Sequence, residues 1–172
     1  TLGFAYVDPA TGTPADSSGV IRGNYHELKE NQHYRFDRQT GVTTRASLSS
    51  TGEQAILDSF TPELSADGRY LAFTSFASNL VTFDDNEGSD VFVRDRKTQT
   101  TERVTVSSSG VAGTGHSYVN TGGISADGRF VAFASYMTNL VPNDQIELDV
   151  FVHDWYTRTT VRVSEAATGG DS

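Results

Sequence analysis

SADGRYLAF at Ser65 to Phe73 and SADGRFVAF at Ser125 to Phe133 are one phrase written twice, with starts 60 positions apart. The residues after each phrase repeat as well. TSFASNLV is answered by ASYMTNLV, and SDVFVRDRKTQTTERVTV by LDVFVHDWYTRTTVRVSE. Asp90 and Asp149 stand 59 apart, as do Asp95 and Asp154, so the second copy has lost one residue in the loop before Asp149. A weaker third copy comes earlier: HYRFDRQTGVTTRASLSS, His33 to Ser50, aligns with Val91 to Ser108, and Asp37 precedes Asp95 by 58. Repetition at such a period belongs to solenoids and propellers, in which each unit buries its faces against its neighbours.

Inside a unit the pattern is that of short strands. Tyr70 to Ser75 and Phe130 to Ser135 alternate, placing Leu71 with Phe73, and Val131 with Phe133, on one face. Asp90 to Arg94 and Asp149 to His153 carry DVFV, a β-branched and aromatic run suited to a central strand. Thr101 to Val106 and Thr159 to Val163 supply one more strand each. Asp67-Gly68 and Asp127-Gly128 are hairpin turns, because Gly accepts the positive φ that the turn demands. Asp37 to Gly41, Asp95 to Gln99 and Asp154 to Arg158 are further turns, and Tyr25 to Gln32 is the one stretch that reads as a short helix. With a strand before Ser65, each unit offers about four strands, which is one propeller blade.

The SADGR turn, the alternating strand after it and the DVFV strand resemble the WD-like propeller repeat of the TolB-like family, over roughly residues 31 to 172. The resemblance implies an all-β β-propeller segment of about two complete four-stranded blades plus a partial one. Its units run at about 31–64, 65–124 and 125–172, after an amino-terminal strand and turn segment, residues 1–30, that fits poorly. Closed propellers need four to eight blades. The chain is therefore expected to be a fragment of a longer protein, or to join a second copy as half of a six-bladed ring. Such propellers serve as docking platforms, as gating domains of prolyl-oligopeptidase-type hydrolases and as surface proteins. The expected role is a non-catalytic structural or interaction module of an exported protein, extracellular or periplasmic, binding a protein or glycan on its blade loops. The alternatives are the substrate-selecting domain of a larger hydrolase and a self-assembling surface protein.

Composition narrows the partners. Acidic residues outnumber basic ones 22 to 13, for a net charge of −9, so a nucleic-acid surface built from clustered Lys and Arg is excluded. No apolar run approaches the ~20 residues that span a bilayer as a helix. Without cysteine there is neither a disulfide framework nor a zinc ribbon.

One loop stands out for cation chemistry. Asp84-Asp85-Asn86-Glu87-Gly88-Ser89-Asp90 concentrates hard oxygen donors around a glycine, and calcium is expected on Asp84, Asn86 and Asp90 with help from backbone carbonyls. The Gly stands too late for an EF-hand, and the second copy, Asn143 to Asp149, has exchanged it for Ile and Leu. The competing reading is an acidic loop whose Asp and Asn side chains cap their own turn. Asp67 and Asp127 are turn formers, with Arg69 and Arg129 expected on the surface. His26, His33, His116 and His153 have no metal-ligand spacing, no Gly-x-Ser-x-Gly elbow occurs, and Gly110 to Gly123 reads as a rim loop. Tyr136, Trp155 and Tyr156 are either a sugar-stacking patch or packing residues, with packing favoured.

Overall fold

The computed structural model describes residues 34–36, 41–86, 88–118, 123–144 and 147–164. Residues 1–30, the helix expected at Tyr25 to Gln32 and most of the Asp37 to Gly41 turn lie outside them. The described residues are all-β and contain no helix. Ten strands run in chain order: β1 Tyr34–Phe36, β2 Thr43–Arg45, β3 Ser59–Leu64, β4 Tyr70–Ser75, β5 Asp90–Asp95, β6 Thr100–Arg103, β7 Ser117–Tyr118, β8 Phe130–Ser135, β9 Asp149–Asp154 and β10 Thr159–Arg162.

β3 to β6 form one four-stranded antiparallel meander and β7 to β10 a second, while β1 and β2 pair as a hairpin. Registers match from copy to copy. Phe92 faces Arg103 and Phe151 faces Arg162, and Tyr34 faces Arg45 in the same way, so β1–β2 is the outer hairpin of a preceding blade. The chain is thus a β-propeller segment of two complete blades and part of another.

All six residues of β4 and all six of β5 are buried, because both faces of the first blade are covered. Alternation sends Tyr70 and Ala72 to one side and Leu71 and Phe73 to the other. Tyr70, Ala72, Val91, Val93 and Val104 pack with Val131, Phe133, Met137, Leu140 and Phe151 of the second blade. Leu71, Phe73 and Phe92 pack with Ala46, Ala55, Ala77 and Leu80. Each blade therefore has a forward face, toward the blade that comes next in the chain, and a rear face.

The repeated phrase makes the hairpin that positions these faces. Asp67 Oδ1 accepts from Ser65 Oγ at 2.7 Å and from the Arg69 amide at 2.9 Å, and Gly68 holds φ 66°. Asp127 does the same with Ser125 and Arg129, and Gly128 holds φ 78°. The turns of adjacent blades also touch, the Ala66 amide donating to the Ala126 carbonyl at 2.9 Å. Arg69 and Arg129 stay at the surface as expected, with side chains 35% and 41% exposed, and both are paired there. Each reaches the last residue of the third strand, Arg69 Nη2 to Asp95 at 2.6 Å and Arg129 Nη2 to Asp154 at 2.6 Å. That pairing holds the carboxyl of Asp95 down to about 2 and that of Asp154 well below the ordinary carboxylate range.

Candidate functional site

The insert between β4 and β5 is the longest connection within the first blade; it carries Asp84 and Asn86 and leads into Asp90, the first residue of β5, which completes the set singled out for calcium. The fold brings them together. Asp84 and Asp90 gather around a cation the chain supplies itself, the guanidinium of Arg103 at the end of β6, and Asn86 joins them through Asp90. Arg103 Nη1 lies 3.0 Å from Asp84 Oδ1 and 3.1 Å from Asp90 Oδ2, and Nη2 donates to the Phe83 carbonyl at 3.3 Å. Asp90 is fully buried, and its other oxygen accepts from Thr105 Oγ1. Asn86 Nδ2 donates to Asp90 Oδ2 and to the Gly113 carbonyl, both at 3.0 Å, while Asn86 Oδ1 accepts from the Gly88 amide. Turning that amide over would set oxygen against two acceptors and nitrogen against a donor, so its orientation is fixed. Asn86 thus offers an N–H to the centre of the cluster, where a calcium ion needs oxygen. Among the described residues no group of three or more carboxylate or imidazole side chains converges as a metal site.

Burial raises the carboxyl of Asp84 to about 6, the negative charge of Asp90 adds to that, and Arg103 opposes both. The second blade repeats the cluster in reduced form. Arg162 Nη1 lies 2.9 Å from Asp144 and 3.5 Å from Asp149, and Ser164 Oγ takes the place of Thr105.

The insert also grips the next blade. The Ser89 amide donates to His116 Nδ1 at 3.1 Å, Ser89 Oγ to the Ser117 carbonyl at 3.0 Å, and the Ser117 amide to the Ser89 carbonyl at 2.9 Å. Gly88 passes so close that a Cβ there would sit 2.0 Å from the Gly115 oxygen. The segment from Gly110, expected to be a rim loop, instead supplies β7, the first strand of the second blade, and the partners of this clasp. A repeated serine makes a second fastening. Ser50 Oγ donates to the Thr101 carbonyl and accepts from its amide, and Ser108 does so with Thr160. Glu102 and Arg158 form an ion pair across the same junction.

Arg103 and the two serines are the residues that the sequence reading missed. Their signal was present: Arg45, Arg103 and Arg162 recur on the repeat, and Ser50 and Ser108 each come five positions after the arginine. Of the aromatic candidates, Trp155 packs edge-on against Tyr70 at 5.2 Å and donates its Nε1–H to the Gly128 carbonyl, whereas Tyr136 and Tyr156 are exposed.

No protein-family model matches the chain, and no curated protein does. Solved structures do match. One of them, a protein described as a TolB of Agrobacterium tumefaciens, is 19% identical with a TM-score of 0.43. That match covers 76% of this chain and 40% of the other, so the chain spans well under half the length of that protein.

Proposed function

We propose that the chain is a non-catalytic structural and interaction module of an exported protein, periplasmic or extracellular as its repeat resemblance implies, with the 82–90 insert acting as an interblade clasp. The observation that carries this reading is the Arg103 cluster. The acidic residues with the strongest claim to chemistry, Asp84 and Asp90, are spent on holding an arginine and a backbone segment in place. The other repeated acids, Asp67, Asp95, Asp127 and Asp154, are each tied into a turn or an ion pair. The stiffening role expected of calcium falls to the guanidinium, which brings its own positive charge and requires no ion from solution. A protein or glycan partner would meet the exposed rim, where the two copies differ most.

Thermal melts in excess calcium and in excess chelator test the clasp; the expected midpoints coincide. A rise with calcium that vanishes in Asp84→Asn would return the metal to the site. Incubation with chromogenic esters, glycosides and an unfolded protein substrate should give no turnover. Turnover lost in Asp84→Asn would overturn the non-catalytic reading.

A further inference from the structure

The rim of the first blade that carries the insert bears apolar side chains that the fold does not require. Ile56, Leu57, Phe76 and Phe83 are 52%, 50%, 37% and 89% exposed. The second blade builds the same positions from other residues. Thr114 stands for Ile56, and each amide donates at 3.1 Å to an asparagine Oδ1, Asn139 in one blade and Asn79 in the other. Gly115 stands for Leu57, Tyr136 for Phe76 and Asn143 for Phe83. Phe83 and Asn143 both hold left-handed backbone at φ 60°, a conformation that asparagine tolerates and a bulky aromatic disfavours. Neither burial nor backbone conformation calls for phenylalanine at 83.

The exposure does not come from the ends of the chain. The first blade has the whole second blade against its forward face, and the second has the whole first blade behind it. Thr114, Tyr136 and Asn143 are exposed in the one setting as Ile56, Phe76 and Phe83 are in the other.

A groove of about 630 Å³, with Glu53, Asn79, Val81, Thr82 and Arg103 in its walls, joins the two ends of the patch. Ile56 is bonded to Asn79, and Phe83 follows Thr82. The neutral polar groups of the walls are already engaged, Ser50 Oγ with the Thr101 backbone, Ser49 Oγ with Thr51 and the Glu53 amide, and Asn79 Nδ2 with the Gln54 carbonyl. A sugar would find few of them open. What stays open is apolar surface, two exposed carboxylates and one rung of a sheet edge. The carboxylates are Glu53 and Asp85, neither with an ion-pair partner among the described residues. The rung belongs to β6, the outer strand of its blade. The Val104 amide donates to the Val91 carbonyl, so the amide and carbonyl of Arg103, one residue earlier, face away from β5.

We propose that this rim docks an extended peptide segment of a partner protein, with apolar side chains for Ile56 and Phe83 and Lys or Arg for Glu53 and Asp85. Its main chain would take the open rung at Arg103, as in other additions of a strand to a sheet edge. The excess of acid, −9 over the chain, favours a basic segment and disfavours an anionic lipid surface. The docking rests on the reading of the chain as an interaction module and names the chemistry of its partner.

Selection of short random peptides, displayed on phage, against the immobilised full chain tests the docking. The enriched sequences should carry Lys or Arg beside apolar residues. A synthetic copy of the strongest binder, followed by fluorescence anisotropy, should bind Phe83→Asn with Ile56→Thr about tenfold or more weakly, the equivalent of ~1.4 kcal/mol. Both substitutions install residues of the second blade, so circular dichroism should not change. Affinity should fall as salt rises, and Glu53→Gln with Asp85→Asn should remove most of that dependence. Tyr156→Ser, at the turn between β9 and β10, should leave binding intact. No enriched sequence, enrichment of acidic peptides, or binding indifferent to the rim substitutions would each overturn the docking. Retention on phosphatidylglycerol vesicles or on a glycan array that Phe83→Asn abolishes would overturn it in favour of lipid or sugar, and a dimer in sedimentation that Phe83→Asn dissociates would do so in favour of a second copy. These failures leave the module reading standing, whereas enzymatic turnover would end that reading without bearing on the rim.

Discussion

Two glycines that look alike in sequence differ in what they permit. Gly110 and Gly128 both hold left-handed backbone, φ 81° and 78°, so an alanine at either is strained by about 1–2 kcal/mol. At Gly110 nothing lies within 4 Å of an added Cβ, whereas at Gly128 the Cβ would fall 2.1 Å from the ring of Tyr70. Gly128→Ala should therefore lose about 1–3 kcal/mol more than Gly110→Ala, because the Tyr70 ring is held against Trp155 and cannot retreat. Urea titration of the two variants measures the difference, and equal losses would mean that the turn alone needs the glycine. Buried charges are a second matter of single residues. Arg103→Met leaves Asp84 and Asp90 facing each other without a counter-ion and should cost about 3–5 kcal/mol. Adding Asp84→Asn should recover part of that loss, and a double-mutant cycle in urea reads the coupling. Strict additivity would show that Arg103 does not hold the insert.

At the scale of strands and inserts, β4, β5, β8 and β9 fall close to where alternation and the DVFV run put them, since an Asp-Gly turn and two-sided burial are local matters. The fastenings were not legible in that way. Ser50 meets Thr101 and Arg69 meets Asp95 only after the chain has folded back, and a lone sequence marks such pairs by recurrence without saying who faces whom. The oxygen-rich insert suggests a cation, and what the sequence alone did not indicate is that the fold brings an arginine from a strand edge to Asp84 and Asp90. Titration adds a test of the elements around it. Asp84, raised to about 6, keeps a proton in the folded state that the unfolded chain releases near 3.8, so its contribution to stability falls as pH rises through that window. His153 on β9 behaves in the opposite sense. It is fully buried, its Nδ1 is 2.8 Å from Thr160 Oγ1 and its Nε2 finds no partner among the described residues. Burial, with the charge of Arg158 adding to it, lowers it to about 4, so the unfolded chain takes up a proton below about 6.5 that the folded one refuses. Its contribution is lost as pH falls from about 6.5 to about 4. Between pH 4 and 6 the two slopes offset each other. His153→Gln should expose a stability that declines as pH rises through this window, and Asp84→Asn one that increases. Urea midpoints at several pH values separate them, and parallel curves would remove one group from the account.

At the scale of the molecule, the two blades are built alike on the inside and unlike on the rim that carries the insert. The Arg69–Asp95 and Arg129–Asp154 ties and the stacked pairs Phe73 with Phe92 and Phe133 with Phe151, each at 5.7 Å, recur without change. The fastenings have a consequence for how such a chain grows. Ser50 to Thr101 spans 51 positions, Ser108 to Thr160 spans 52 and Glu102 to Arg158 spans 56, so each of these long-range ties stops at the adjacent repeat. A fold whose ties reach one repeat and no further can be lengthened or shortened by whole units through recombination, because an inserted unit brings one set of fastenings and receives another. The fastening common to both described junctions is the serine five positions after the arginine, Ser50 receiving the first blade and Ser108 the second. The acid and the glycine belong to one junction only, since Thr44 and Glu30 stand one repeat earlier at the positions of Glu102 and Gly88, so a unit can be exchanged without carrying either.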